Sequence, residues 1–400
     1  MQIRTRKLLS VLLTLLIMAG VIAAAPVTAS AAGPLAPNGS AVWDFTAVDA
    51  DGSGTGWAWV QSTKTLTLTN FTHSTSAATA LELPSGSAIV LNGTNTITST
   101  YSAGSGNAYG IECGGALTIT GSGSLDVKSG GAGTSYGIDA VDSITFSGAV
   151  TVKATTGTAS APYGLRSDGG ITINDTAAVT AEHGPAGGTG RAISASSGVT
   201  INGGSLTALA TQNVHYLFDP AYTVPSGFVY WTNSLKTASG ASGPFTSTGA
   251  TSFNKADAST QYVRIELPPV LSAGSVSRTS DTAATVGFTT DKAGTAYYIS
   301  QAGGAAAPTN TAVKGGTSLG AVTAGANTGK AVTLVAGARD IYVVVDAGGV
   351  LSAPLKIAAA AYSSGGGTNA KGIFGTNARY TQWWCYILFF LCFGFIWMWF

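Results

Sequence analysis

Between residues 80 and 210 the chain is written in short triplets whose outer members are mostly apolar and whose middle member is mostly polar. A first set reads Leu81-Glu82-Leu83, Ile111-Glu112-Cys113, Ile138-Asp139-Ala140, Leu165-Arg166-Ser167 and Ile193-Ser194-Ala195. A second set reads Ile89-Val90-Leu91, Leu117-Thr118-Ile119, Ile144-Thr145-Phe146, Ile171-Thr172-Ile173 and Val199-Thr200-Ile201. The third runs from Ile97-Thr98-Ser99 to Leu206-Thr207-Ala208. Alternation with a period of two is the mark of a strand and puts the outer members inside and the middle member outside. Turns such as Gly114-Gly115 and Gly169-Gly170 separate the strands.

The whole block recurs. Tyr109-Gly110-Ile111, Tyr136-Gly137-Ile138 and Tyr163-Gly164-Leu165 stand 27 residues apart, and the block returns more loosely as Arg191-Ala192-Ile193. A fixed period of this length means a solenoid. Three strands per repeat, each bonded to its equivalent in the next coil about 4.8 Å away, describe a parallel β-helix, and crossover chirality predicts a right-handed one. The expected fold is therefore all-β: a single-stranded, right-handed parallel β-helix of about six coils over 80–210. Open coil ends need covers. Residues 32–79, with Trp43, Phe45, Trp57, Trp59 and Phe71, predict an N-terminal cap with an incomplete coil at Leu66-Thr67-Leu68. Residues 211–267, with Tyr216, Phe218, Tyr222, Phe228, Tyr230 and Trp231, predict the C-terminal cap.

Pro268-Pro269 marks a boundary. Beyond it β-branched or alternating runs such as Thr285–Thr289 and Ile341–Val345 predict a small immunoglobulin- or fibronectin-like β-sandwich over 268–362, a kind of domain that commonly serves as a spacer. Residues 363–382 read as a linker. Trp383–Phe400 is eighteen uncharged residues, ten of them aromatic. It is marginal in length for a membrane span and is followed by no Lys or Arg, so two readings stand: a membrane anchor, or a C-terminus replaced by a frameshift.

At the other end Arg4, Arg6 and Lys7 precede an apolar run from Leu8 to Ala25 and the small triplet Ala29-Ser30-Ala31. Residues 1–31 thus predict a secretory signal peptide and a secreted or cell-surface location. Only 9% of the chain is charged, with a net charge of +1, which argues against nucleic acid as a partner. Before the tail the only cysteine is Cys113, expected as a buried thiol, so neither a disulfide framework nor a cysteine zinc site is available there. His73, His183 and His215 have no spacing that implies zinc or a triad and are expected to be exposed or capping.

The outward middle positions of the first triplets run Glu82, Glu112, Asp139, Arg166, Ser194. This ladder could hold calcium through Glu82, Glu112 and Asp139, or contact sugar hydroxyls, or be a solvated face with Arg166 pairing Asp139. Thr118, Thr145, Thr172 and Thr200 form a flat array that could meet an ordered surface such as ice or crystalline polysaccharide; threonine is also ordinary at exposed strand positions. Tyr109, Tyr136 and Tyr163 share a phase with the inward aliphatics and are expected to stack inside, the other reading being a platform for sugar rings. Trp57 and Trp59 offer a sugar-stacking face or pack the cap. Hydrolysis needs converging carboxylates, and uronate lyases need a metal cluster or a placed base; no catalytic residue is assigned.

The phrases Leu83-Pro84-Ser85-Gly86, Leu91-Asn92-Gly93-Thr94-Asn95-Thr96-Ile97, Tyr109-Gly110-Ile111 and Leu117-Thr118-Ile119-Thr120-Gly121-Ser122-Gly123-Ser124-Leu125 resemble exported, repeat-containing surface proteins of Gram-positive bacteria. These are described as carbohydrate-binding-domain β-helix proteins, and the similarity covers roughly 57–267 with a fibronectin-like module following. The resemblance implies binding to cell-wall or plant polysaccharide, with calcium as a candidate ion. It carries no catalytic motif onto this chain, and no S-layer module is present. The expected protein is a non-enzymatic, monomeric polysaccharide binder, the alternatives being a structural adhesin or stalk and a lyase-like enzyme.

Overall fold

The computed structural model describes residues 42–131, 133–184, 189–210, 215–257 and 259–363. The expected signal peptide, the linker beyond Ser363 and the hydrophobic tail lie outside the described residues. The chain divides into two compact units between Leu267 and Pro268, where the proline pair predicted a boundary.

The first unit is a parallel β-solenoid. Its strands form three sheets of seven, eight and nine strands, and within each sheet successive parallel strands come from successive coils. Complete coils begin at Thr79–Leu83, Asn107–Cys113, Thr134–Ala140, Ala161–Ser167 and Arg191–Ala195. That makes about five turns rather than six. The strands Thr65–Thr69 and Thr72–Thr75 supply the incomplete coil before them.

Register is held by the apolar members of the triplets. In the first sheet Leu81, Ile111, Ile138, Leu165, Ile193 and Phe218 follow one another as direct partners. All six are at most 1% exposed. A slip of one residue would turn that column to solvent, at about 1.5–3 kcal/mol for each large side chain uncovered. Cys113 belongs to the same interior, with its thiol near the Pro84 and Ala116 carbonyls at 3.4 and 3.5 Å. Asn95, whose side-chain amide is fully buried, ties a corner together: it accepts from the Phe71 amide and donates to the Asn92 and Ser124 carbonyls.

Both ends are plugged. Trp43 packs on Phe45 and Phe71 with ring centroids 4.9 and 4.8 Å apart, and Trp57 and Trp59 complete this aromatic core. At the far end the first sheet closes with Tyr216–Asp219, and the third turns antiparallel where Tyr262–Glu266 pairs Ser205–Leu209. Of the two expectations for the histidines, exposed or capping, exposure is overturned: all three are buried. His73 lies beside the stacked pair Trp43 and Phe71, its ring centroid 5.6 and 6.5 Å from theirs, and His183 packs on His215 at 4.4 Å.

Among the described residues the second unit has eight strands in antiparallel sheets of three and five. Val286, Phe288 and Val332 from one sheet share a core with Tyr298, Val343 and Ile357 from the other. A five-residue helix, Asn310–Lys314, is capped by the Thr309 hydroxyl, which accepts from the Ala312 amide.

Candidate functional site

The outer face of the first sheet carries two parallel ladders, and the repeated glycine is the reason. Strict alternation would put Tyr109, three places before the outward Glu112, inside. Instead Gly110 and Ile111 are both buried while Tyr109 and Glu112 are both half exposed. A Cβ on Gly110 would meet Val127 Cγ1 at 2.4 Å and the Gly137 carbonyl at 2.5 Å, so only glycine fits where one coil's backbone presses on the next. The strand gains an extra inward position there, as at a bulge. Gly137 and Gly164 repeat the arrangement, with the next coil's carbonyl at 2.5 and 2.6 Å from a built Cβ. The tyrosines do stack, but outside, which corrects the expectation of an internal ladder.

Ring centroids are 4.8 Å apart from Tyr109 to Tyr136 and 5.1 Å from Tyr136 to Tyr163, with interplanar angles of 10° and 19°. Each ring covers its neighbour's face, so the ladder presents ring edges and hydroxyls. Thr79 occupies the equivalent position in the preceding coil, so on that side Tyr109 meets a threonine rather than a ring. At the other end Arg191 takes the next position, its guanidinium 5.1 Å from the Tyr163 ring and its Nη1 donating to the Tyr163 hydroxyl at 2.8 Å. Tyr216 follows, 5.4 Å from the same guanidinium. Burial pushes the Tyr136 phenol up to about 12.

Beside the rings runs the charged ladder. The sequence placed Glu82, Glu112, Asp139, Arg166 and Ser194 in one column, and their registers agree. Two members were missed. Asp44 pairs Glu82 below, and Asp219 pairs Ser194 above. Both sit in cap strands, where the 27-residue period no longer marks the phase.

The column is uneven. Asp139 is 4% exposed and receives both bonds of Arg166 Nη1, at 3.0 and 3.2 Å. Arg166 also reaches Asp168 at 2.6 Å and lies 5.5 Å from the Tyr136 ring centroid. Burial pushes the Asp139 carboxyl up, and the Arg166 charge holds it back in part. Glu112 has no cationic partner among the described residues and accepts from the Thr79 hydroxyl at 3.2 Å. Its carboxyl is raised by burial first, with Glu82 and Asp139 adding to the shift against the Thr79 bond. Glu82 is raised by burial and by Asp44. Arg191 pairs Asp219.

Among the described residues, no group of three or more His, Cys, Asp or Glu side chains is placed to hold a metal ion. Side chains in a ladder point the same way, side by side, and Asp139 is committed to Arg166. Trp57 and Trp59 are 8% and 1% exposed, with the Trp59 indole donating to Gln61 Oε1 at 3.0 Å. Their faces belong to the cap core and offer no sugar platform.

On the second sheet Thr118, Thr145, Thr172 and Thr200 stand in register. No helix among the described residues is long and apolar enough to cross a membrane. In comparisons with known proteins, the chain matches no family model, no curated protein and no solved structure.

Proposed function

We propose that this is a non-catalytic secreted or cell-surface protein that binds polysaccharide along the outer face of its first sheet, with the second unit as a fibronectin-like spacer. One observation carries the reading: the tyrosine ladder and the carboxylate–arginine ladder lie side by side on one face. Together they offer hydroxyls, carboxylates and a guanidinium at the repeat of the coils, about 4.8 Å. Such an array suits a ligand that is itself repetitive and rich in hydroxyl groups. The exposed edges and hydroxyls of the tyrosine ladder would hydrogen-bond along such a chain. The N-terminal leader pattern and the resemblance to exported Gram-positive surface proteins support the location and the ligand class.

The whole chain, incubated with insoluble and arrayed plant and cell-wall glycans, is expected to bind a subset of them. Glu112→Gln combined with Tyr109→Phe and Tyr136→Phe keeps the stack and removes a charge and two hydroxyls. Its affinity should fall about tenfold, the loss expected for one or two such bonds. Unchanged affinity in this variant would remove the face from consideration, and failure of every glycan would leave the stalk reading.

A further inference from the structure

A groove of about 490 Å³ opens at the corner where the third sheet hands the chain to the first, away from the two ladders. Its base is bare backbone. The Gly131 amide donates to the Tyr101 carbonyl at 2.7 Å, and a Cβ on Gly130 would lie 2.3 Å from that same oxygen. A Cβ on Gly157, one coil further, would meet Gly130 at 2.7 Å. Three turns thus stack too closely for side chains, and the space above them stays open.

The walls carry a definite chemistry. Tyr101 is half-buried and pairs with no other ring among the described residues. Lys128 is exposed, stands in register between Thr98 and Thr155, and has no carboxylate partner among the described residues. The carboxylate two places along its strand, Asp126, stands opposite Lys153 instead. The hydroxyls of Thr98, Ser102 and Thr158 line the same space without a protein hydrogen bond among the described residues.

We propose that this groove binds a uronic acid residue of an acidic oligosaccharide, with the Lys128 ammonium on its carboxylate, the Tyr101 ring against the sugar and the wall hydroxyls on the sugar's own. The volume falls in the range of small-molecule sites, roughly 300–1,000 Å³. An unpaired ammonium is a point charge that suits one carboxylate, and a charge-assisted bond there is stronger than a neutral one. Phosphate fits less well: no arginine lines the groove, and the Gly131 amide, which would help cradle such an anion, already donates to Tyr101. The site shares no residue with the two ladders, so it stands or falls separately from them.

Calorimetric titration of the whole chain with trigalacturonate and with its methyl ester tests the assignment. The acid should bind, and the ester, which keeps the sugar and loses the charge, should bind at least tenfold more weakly. Lys128→Gln should abolish that difference, and Tyr101→Ala should weaken both ligands. Near-ultraviolet circular dichroism confirms that the variants are folded. Equal binding of acid and ester, no binding of either, an unaltered preference in Lys128→Gln, or displacement by equimolar inorganic phosphate would each overturn the proposal.

Discussion

The guanidinium of Arg166 bonds the carboxylate of Asp139, its neighbour in the preceding coil, at 3.0 Å, and the acid is the buried partner of the two. Arg166 therefore satisfies a charge that its own strand does not carry. Removing it by Arg166→Met leaves Asp139 either charged and unpaired or protonated at neutral pH. Loss of one member of a buried pair costs about 3–5 kcal/mol, and the partial exposure of Arg166 together with protonation of Asp139 should bring this to about 2 kcal/mol. Urea unfolding should show that loss, and Asp139→Asn added to Arg166→Met should recover most of it.

Glu112 has the opposite standing, since its neighbours in the column are the acids Glu82 and Asp139. Glu112→Gln keeps a side-chain oxygen for the Thr79 hydroxyl and removes the charge that burial opposes. The variant is expected to be more stable at pH 7 by about 0.5–1 kcal/mol, a rise in Tm of about 2–4 °C at most for a unit of this size. A lower Tm would show that the carboxylate is stabilising where it stands.

Gly137→Ala tests the glycine that turns the tyrosines outward. The added methyl would sit 2.5 Å from the Gly164 carbonyl and 3.2 Å from the Ala154 side chain, so two coils must part. Overpacking of this kind costs about 1–3 kcal/mol. The near-ultraviolet signal of the stacked rings should fall with it, whereas an intact signal and unchanged Tm would mean that the coils yield without cost.

The histidine pair gives the solenoid an acid limit. Burial pulls His183 down to about 4 and also lowers His215, with the Lys236 charge acting in the same direction on both. An unfolded chain takes up these protons near 6.5, the folded chain only near 4 for His183, so the unfolded state binds more protons between those values. Stability must then fall as pH drops from about 6.5 to about 4, by up to about 3 kcal/mol for His183. Glu82, Glu112 and Asp139 work against this, because their raised carboxyls bind protons more readily folded than unfolded. In His183→Gln the pH dependence of Tm over that window should flatten; an unchanged slope would remove the histidine from the account.

Architecture was legible because the interior of a solenoid repeats: each of Ile111, Ile138 and Leu165 sees the same neighbours one coil away, and the triplets record it. Positions were lost where a local event breaks the period of two. Tyr109 looked inward until the bulge at Gly110 was counted, although the glycine after each tyrosine was the available signal. Asp44 and Asp219 were missed for a different reason, since they continue the column from strands whose sequences answer to cap packing. Trp57 and Trp59 could not be assigned from residue type alone, as a ring serves a core or a sugar equally well. The Lys128 groove left no trace because turns from three coils form it, and their residues are far apart in the chain.

The antiparallel strand Tyr262–Glu266, laid across the end of the third sheet, has a consequence for molecules in the plural. A column of parallel strands with a bare end would template another copy of itself and grow into a fibre. Here the third sheet finishes on Ser242–Thr246, an edge interrupted by Pro244, and the first on Tyr216–Asp219, met by the Asn254 carbonyl and the Lys255 bridge. Val199–Ile201, three residues long, ends the second sheet as a parallel strand, as Trp43–Asp44 and Thr72–Thr75 do at the opposite ends of the first and third. At the C-terminal end, then, two of the three sheets present no bare parallel edge, which opposes growth of one solenoid onto another there.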